Sequence, residues 1–424
     1  MKIAILTNFM EFNPGYSLTG IVKDQAIMFI KYGHEVHLYV NEQYHGIEGE
    51  KEINHPQFQL CKKIPFAHLK DYSSKDQLLR DHTDTIERTS QLIVTEMQDY
   101  DAILTHDFVF TGWNMPYALG IQKASSFISK PAWLHWIHSV PTVNSDWWNI
   151  SDYGKKHKLV FPNKTDARRV AEQFNGWDRD VVTIPHIKDL RTWFDFSKET
   201  VQFINDFPKV MQSQIVQIFP ASVDRLTAKR VKEVIVLFSR FKKRGKSVCL
   251  VIANQWATQR QQKEQVDKYL IEASSYGLEP MSEVIFTSEW RQPKYDQGIP
   301  KNMVRELFQC SNLFVFPTKE ESFGLVVPEA ALSGGCLLVL NKSLQQQIEI
   351  SGGDAVYVDF GSFHNNFEPV GGWGKYLDDV ASIILNKMDD NESVLTKTFA
   401  RLTYNIDNLY WNFYEPIIKG SMTW

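Results

Sequence analysis

Two glutamates, Glu321 and Glu329, stand in the stretch EESFGLVVPEAALSGG over Glu320–Gly335. The run just before it, NLFVFP over Asn312–Pro317, has the short apolar pattern of a buried strand. TKEESFG then reads as a loop at the carboxyl end of that strand. A helix is expected from about Leu325, with Pro328 inside its first turn. This places Glu321 in the loop and Glu329 at the helix start. Backbone N–H groups at a helix start attract anions, and carboxylates beside them accept hydrogen bonds from hydroxyls. A ligand that combines phosphates with many hydroxyls is a nucleotide sugar. The plainer reading is that acids in a first turn complement the helix dipole and do nothing else.

A second constellation is basic. FPASVDRLTAKRVKEVI follows the strand-like QIVQIFP (Gln214–Pro220) and offers Arg225, Lys229 and Arg230. Two cations beside a diphosphate would offset the charge of a leaving group. The plainer reading is a solvated helix start.

The stretch FPTKEESFGLVVPEAALSGGCLLVLN resembles the signature of retaining GT-B glycosyltransferases of family four, which is Glu, seven residues, Glu, with Phe-Gly-Leu after the first acid and Glu-Ala at the second. The resemblance implies that Glu321, Ser322, Phe323, Gly324 and Leu325 face the donor sugar and diphosphate and that Glu329 holds the ribose. Glu320 competes for the role of Glu321, but the register with Phe-Gly-Leu favours Glu321. The start of the chain, MKIAILTN followed by LTGIVKDQAIMFIKYGHEVHLYV, is similar to the family's own start. It implies that Gly20, ahead of Gly15, brings backbone close to the donor phosphates. AWLHWIHSVP resembles a family strand that ends in a histidine facing the reaction centre. His138, ahead of His135 and His106, matches that position, and its plainer reading is a satisfied strand-end histidine.

The family's diphosphate clamp is an Arg and a Lys separated by four residues. Arg225 to Lys229 is one residue short, whereas Arg225 to Arg230 fits but puts Arg in place of Lys. Lys229 is preferred because it opens the following helix. The catalytic set implied is thus His138, Arg225, Lys229 and Glu321. Gly20, Arg230, Ser322, Phe323, Gly324, Leu325 and Glu329 complete the donor side. Two departures bear on the nucleotide. ANQW (Ala253–Trp256) replaces the family's Gly-Asp-Gly, and Trp290 stands where a Gly turn is usual, available either for stacking on a base or for surface packing.

The elements that must position these residues follow from periodicity. KIAILT, a helix-patterned GIVKDQAIMFIKYG and EVHLYV give β-α-β order, and so a parallel sheet with helices on its faces. DAILTH, AWLHWIH, KLVFP and VVTIP continue the series, with helices expected at 75–97 and 165–174. The rhythm breaks near 190–212. A second series follows with QIVQIFP, SVCLVIA, EVIFT, NLFVFP, CLLVL and AVYVDF, and with helices at 229–243 and 259–276. The fold expected is α/β, two Rossmann-like doubly wound domains facing a cleft. The domains span 1–195 on the acceptor side and 205–400 on the nucleotide-sugar side. A helical segment, 401–424, returns to the first.

Composition narrows the class. A 424-residue chain that is 43% hydrophobic holds two or three globular domains, and a net charge of −4 argues against a globally basic nucleic-acid binder. Cys61, Cys249, Cys310 and Cys336 form no CxxC pair, which fits a reducing cytosol better than a disulfide framework or a zinc site. MKIAILTNFM reads as a strand and not a signal peptide, and no run nears the roughly 18 apolar residues of a membrane span. The chain is therefore expected to be cytoplasmic, with any membrane contact peripheral. A Gly-x-Gly-x-x-Gly after the first strand, which a dinucleotide oxidoreductase would need, is absent. No cofactor or metal is expected. The pairs Asp99/Asp101 and Asp178/Asp180 read as loop acids outside the donor half.

The activity implied is retaining transfer of a sugar from a nucleoside-diphosphate sugar to an acceptor hydroxyl. The favoured acceptor is a glycan or lipid-linked glycan. The alternative is a hydroxymethylated base in DNA, suggested by Lys155, Lys156, Lys158, Arg168, Arg169 and a Trp-rich block, 133–148, that would hold an extruded base. A non-catalytic nucleotide-sugar binder on the same fold is the third reading.

Overall fold

The computed structural model describes residues 1–424 except 14, 47–52, 68–74, 110, 139–148, 155, 323 and 421–424. The chain divides into two compact units, Met1–Lys188 with Ile406–Trp424, and Asp189–Asn405.

The first unit is built on a seven-stranded sheet: β1 (Lys2–Leu6), β2 (Glu35–Asn41), β3 (Phe58–Ile64), β4 (Ala102–His106), β5 (Ala132–Trp136), β6 (His157–Phe161) and β7 (Val181–Thr183). Their order is β3-β2-β1-β4-β5-β6-β7, and every pairing is parallel. Successive side chains of a strand point to opposite faces. Accordingly Ala4 and Leu6 enter one hydrophobic core, while Ile3 and Ile5 enter a second. Trp133 and Leu134 divide in the same way, as do Leu159 and Val160. Both faces are covered, which is why these strands read as continuous apolar runs.

Strand β3 is not legible in the sequence. It is an edge strand, and Lys62 and Lys63 sit exposed within FQLCKKI. Charged residues on an edge strand discourage further pairing and blur the apolar signal.

The segment from Ile406 packs into the second core of this unit through Ile406, Leu409, Tyr410 and Tyr414. Gln25 Nε2 donates to the Tyr414 hydroxyl at 3.1 Å, and Tyr410 stacks on Tyr32 with ring centroids 3.7 Å apart.

The second unit holds β8 (Ile215–Ser222), β9 (Val248–Gln255), β10 (Val284–Phe286), β11 (Leu313–Phe316), β12 (Leu337–Asn341) and β13 (Val356–Val358). Backbone pairing gives two parallel three-stranded sheets, β10-β9-β8 and β11-β12-β13. Side chains join them. The buried Gln217 of β8 donates to Val315 O at 3.0 Å and accepts from Val315 N at 2.9 Å. Asn312 Oδ1 accepts from Val216 N at 2.9 Å, and Ser311 Oγ from Ile218 N at 3.0 Å. Read across this seam the order is β10-β9-β8-β11-β12-β13, the doubly wound arrangement in which ligands bind beyond the strand carboxyl ends. Phe196 and Phe203 lie in this unit's core, so the unit begins earlier than the expected residue 205.

Candidate functional site

The site loops of the second unit leave the carboxyl ends of β8, β11 and β12. After β8 comes a single turn, Val223–Arg225, and then the helix Val231–Lys243. After β11 comes the glutamate loop and the helix Val326–Leu332. The loops are tied to one another: Lys319 N donates to Ala228 O at 2.8 Å. Asn341, buried at the end of β12, organises the rest. Its Nδ2 donates to Thr318 O at 2.9 Å and Gly361 O at 2.7 Å, and its Oδ1 accepts from Phe360 N at 3.0 Å and Ser343 N at 3.1 Å. The first three of these are buried backbone groups that need a partner. The only sequence signal for Asn341 is an amide that closes the apolar run CLLVL.

Within this frame Lys229 and Glu321 meet as an ion pair, with side chains 15% and 18% exposed. The Lys229 ammonium also lies 4.7 Å from the centroid of the Phe316 ring. Gln346 Nε2 donates to the Glu321 carbonyl at 2.7 Å, which holds the loop from below. Gly324 has φ +78°, and a Cβ there would come within 3.0 Å of Glu321 Cγ. Glycine is thus required both for the left-handed backbone and for room beside the carboxylate. Arg225 pairs with Glu320 at 3.5 Å in a more exposed position. Ser322 and Leu325 are exposed on the same loop, and Phe323 lies outside the described residues.

Arg230 does not join them. It takes φ +55° at the start of the helix Val231–Lys243, pairs with Glu233 at 2.6 Å and stands 5.0 Å from the centroid of Trp373. In the register question left open by the spacing, Lys229 is the residue that meets Glu321.

Glu329 is in the first turn of its helix but is held by a different cation, Lys301. It borders a cavity of about 420 Å³ lined also by Lys301, Arg305, Phe308 and Leu332. The expected anion site at this helix start is narrower than the sequence suggested. Val327 N already donates to Gly324 O at 2.9 Å, and Pro328 has no N–H.

In the first unit Gly20 is the fourth residue of the helix Ser17–Lys31, and a Cβ there would meet nothing within 4 Å. Gly15 N donates to Asn13 Oδ1 at 2.9 Å, a local turn bond. His138 lies two residues beyond β5. Its backbone N–H donates to Asp107 Oδ1 at 3.3 Å, and its Nε2 is 2.9 Å from His106 Nδ1. The His186 ring also lies beside it, with centroids 5.4 Å apart and ring planes within 16°. Burial pushes the His138 ring down to about 3 and the Asp107 carboxyl up to about 6. Near neutral pH His138 is therefore a neutral ring with two chemically distinct nitrogens.

Other expectations change. Trp290 is 4% exposed, parallel to Tyr295 at 4.9 Å and edge-on to Phe203, with its Nε1 donating to Asp206. It is neither a base platform nor a surface residue, because its indole N–H has an internal acceptor. Trp256 is half-exposed at φ +64°. The basic run is largely engaged: Lys158 is buried and donates to Arg179 O at 2.6 Å, Lys156 donates to Lys130 O at 3.0 Å, and Arg168 pairs with Glu172 at 2.9 Å. Lys155 and the greater part of the Trp-rich block, 139–148, lie outside the described residues. Asp101 pairs with Lys130 at 3.1 Å, and Asp180 accepts from Trp177 N at 2.7 Å.

No curated protein matches the chain in sequence. Among solved structures, a glycosyltransferase from Rickettsia africae is 11% identical, with TM-score 0.39, covering 100% of this chain and 99% of that one. The N-terminal domain of Candida albicans trehalose-6-phosphate phosphatase is 14% identical, with TM-score 0.40 and coverage of 99% and 97%. Anabaena HepE in complex with UDP is 12% identical, with TM-score 0.33 and coverage of 99% and 100%. Likeness at this level bears on neither substrate nor site. The model of the family Glycosyl transferases group 1 matches residues 213–365, which run from β8 past β13 within the second unit and include Arg225, Lys229, Glu321 and Glu329.

Proposed function

We propose that this glycosyltransferase moves a sugar, with retention of anomeric configuration, from a nucleoside-diphosphate sugar to an acceptor hydroxyl. The observation that carries the reading is the meeting of Lys229 with Glu321 on one rim of the group 1 domain, with Arg225 on the same loops. The resemblance to the family-four signature gives the roles. Glu321 accepts hydrogen bonds from donor-sugar hydroxyls, and Glu329 from the ribose. Lys229 and Arg225 balance the charge that grows on the leaving diphosphate, and the same resemblance gives His138 and Gly20 donor contacts. The incoming diphosphate offers Lys229 a stronger anion than the carboxylate it holds now. Exchange of that partner then leaves Glu321 free for hydroxyls.

No side chain is assigned as a covalent nucleophile. The acceptor attacks from the face the diphosphate leaves, and its proton passes to the departing phosphate oxygen. Catalysis then rests on positioning and charge stabilisation. The acceptor we propose is a glycan or lipid-linked glycan, because three of the five cations that would hold DNA phosphates, Lys156, Lys158 and Arg168, have partners within the protein. Among the described residues no helix is long and apolar enough to cross a membrane.

The test is mass spectrometry of products after incubation with a panel of nucleotide sugars and glycan, lipid-linked and DNA acceptors, with EDTA present in a parallel set. A glycosylated carbohydrate whose new linkage keeps the donor's anomeric configuration is the expected product, in both sets. Inverted configuration, loss of turnover restored by manganese, or transfer confined to DNA would each overturn its part of the reading. Binding without turnover of any donor, by transfer or hydrolysis, would identify a sugar-binding protein instead.

A further inference from the structure

His106 and His138 lie at the ends of neighbouring strands β4 and β5, with ring planes within 16° and one N···N contact of 2.9 Å. Such a contact holds a single proton. Both rings are neutral near pH 7, since burial drives each far below the ordinary histidine range. Their tautomers are therefore coupled. Either His106 donates from Nδ1, and His138 must then carry its proton on Nδ1, or His138 donates from Nε2, and His106 must carry its proton on Nε2.

The remaining nitrogens decide between these. His106 Nε2 and His138 Nδ1 are both buried with no partner among the described residues. His106 is only 2% exposed, whereas His138 is a partly exposed residue. A buried N–H without an acceptor is rarer and more costly than a bare acceptor nitrogen. The second arrangement would leave that N–H at the deeper ring. The first leaves a lone pair there and puts the N–H on Nδ1 of His138, the less deeply buried of the two residues.

We infer that His106 is a positioning residue: it donates Nδ1–H to His138 Nε2 and so fixes His138 as a neutral donor, its own proton on Nδ1 for an oxygen of the bound sugar. The second half rests on the reading of His138 as a sugar-contacting residue. The first half does not. Thr105, one residue before His106, has the corresponding contact with His135 Nδ1 at 2.9 Å, and His135 Nε2 continues to His157 Nδ1 at 2.8 Å. Among the described residues both contacts are polar relays between neighbouring strands of this sheet, and of the two it is His106–His138 that ends at a partly exposed residue whose remaining nitrogen has no described partner.

The experiment uses the full chain labelled with ¹⁵N-histidine and a long-range ¹H–¹⁵N spectrum, which distinguishes the two tautomers directly. His138 signals are assigned by their loss in His138→Asn. The expected result is Nδ1–H for both rings, against the Nε2–H form that free histidine prefers. His106→Leu should return His138 to Nε2–H and lower kcat by about tenfold with donor KM little changed. His106→Asn, whose amide can donate from the position of Nδ1, should keep the Nδ1–H form and recover turnover. Nε2–H on both rings of the unmutated chain overturns the inference, and that spectrum decides even if His106→Leu fails to fold. So does a His138 tautomer indifferent to His106→Leu. If the tautomers are as expected but His138→Ala keeps full turnover, the sugar-contacting reading fails and the tautomer assignment stands.

Discussion

Lys229 and Glu321, 92 positions apart in the chain, form one ion pair beneath which Phe316 closes the floor. The neighbour Arg230 turns away to Glu233 and Trp373. The two adjacent cations should therefore separate experimentally. Lys229→Met is expected to lower kcat more than it weakens donor binding, because leaving-group charge grows in the transition state. Arg230→Met should chiefly lower Tm. A large loss of kcat from Arg230→Met, with Lys229→Met near normal, would reverse the assignment.

Glu329 is partnered by Lys301 and not by Lys229, so its contribution should be to binding. Glu329→Ala is expected to weaken nucleotide-sugar affinity by about 1–3 kcal/mol, the scale of a charge-assisted hydrogen bond. Calorimetry on the free nucleoside diphosphate and on the nucleotide sugar should show the loss for both, since the ribose is common to them. A loss seen only with the intact sugar donor would move Glu329 to the sugar side.

Gly324→Ala tests the glutamate loop itself. The substitution meets a left-handed backbone, at a cost of about 1–2 kcal/mol, and a Cβ contact with Glu321 at 3.0 Å. We expect a lowered Tm and a loss of turnover greater than the stability change accounts for, because the carboxylate must shift. Unchanged kinetics at a lowered Tm would show that the position of Glu321 is not critical.

Acid should weaken the first unit through its buried histidines. Burial holds His106 and His135 well below the ordinary range and His138 and His157 at about 3. In the unfolded chain these groups protonate near about 6.5. Between that value and about 3 the unfolded state binds more protons, so stability falls as pH falls, by up to ~1.4 kcal/mol per pH unit for each such group. Thermal melts should show Tm decreasing from about pH 7 to about pH 5, with a shallower slope in His157→Asn. A Tm flat across that range would contradict the buried neutral rings.

The sequence by itself determined the two parallel-sheet series, because strands covered on both faces are continuous apolar runs and that signal is local. It also placed Glu329 in a helix first turn, since Pro328 and the apolar spacing around it are local too. Tertiary structure decided what depends on partners distant in the chain. Strand β3 became a strand by pairing with β2 despite its lysines. Lys229 was distinguished from Arg230 by which side of the helix start meets the glutamate loop. Trp290 was buried by Phe203, Tyr295 and an acceptor at Asp206, none of which its own neighbourhood predicts. His106 and His138 acquired a shared proton only because β4 and β5 lie side by side in register, His106 opposite Trp136. Periodicity records which face of an element is apolar, whereas an ion pair or a shared proton records which two elements meet, and that second fact is fixed by the folding of the whole sheet.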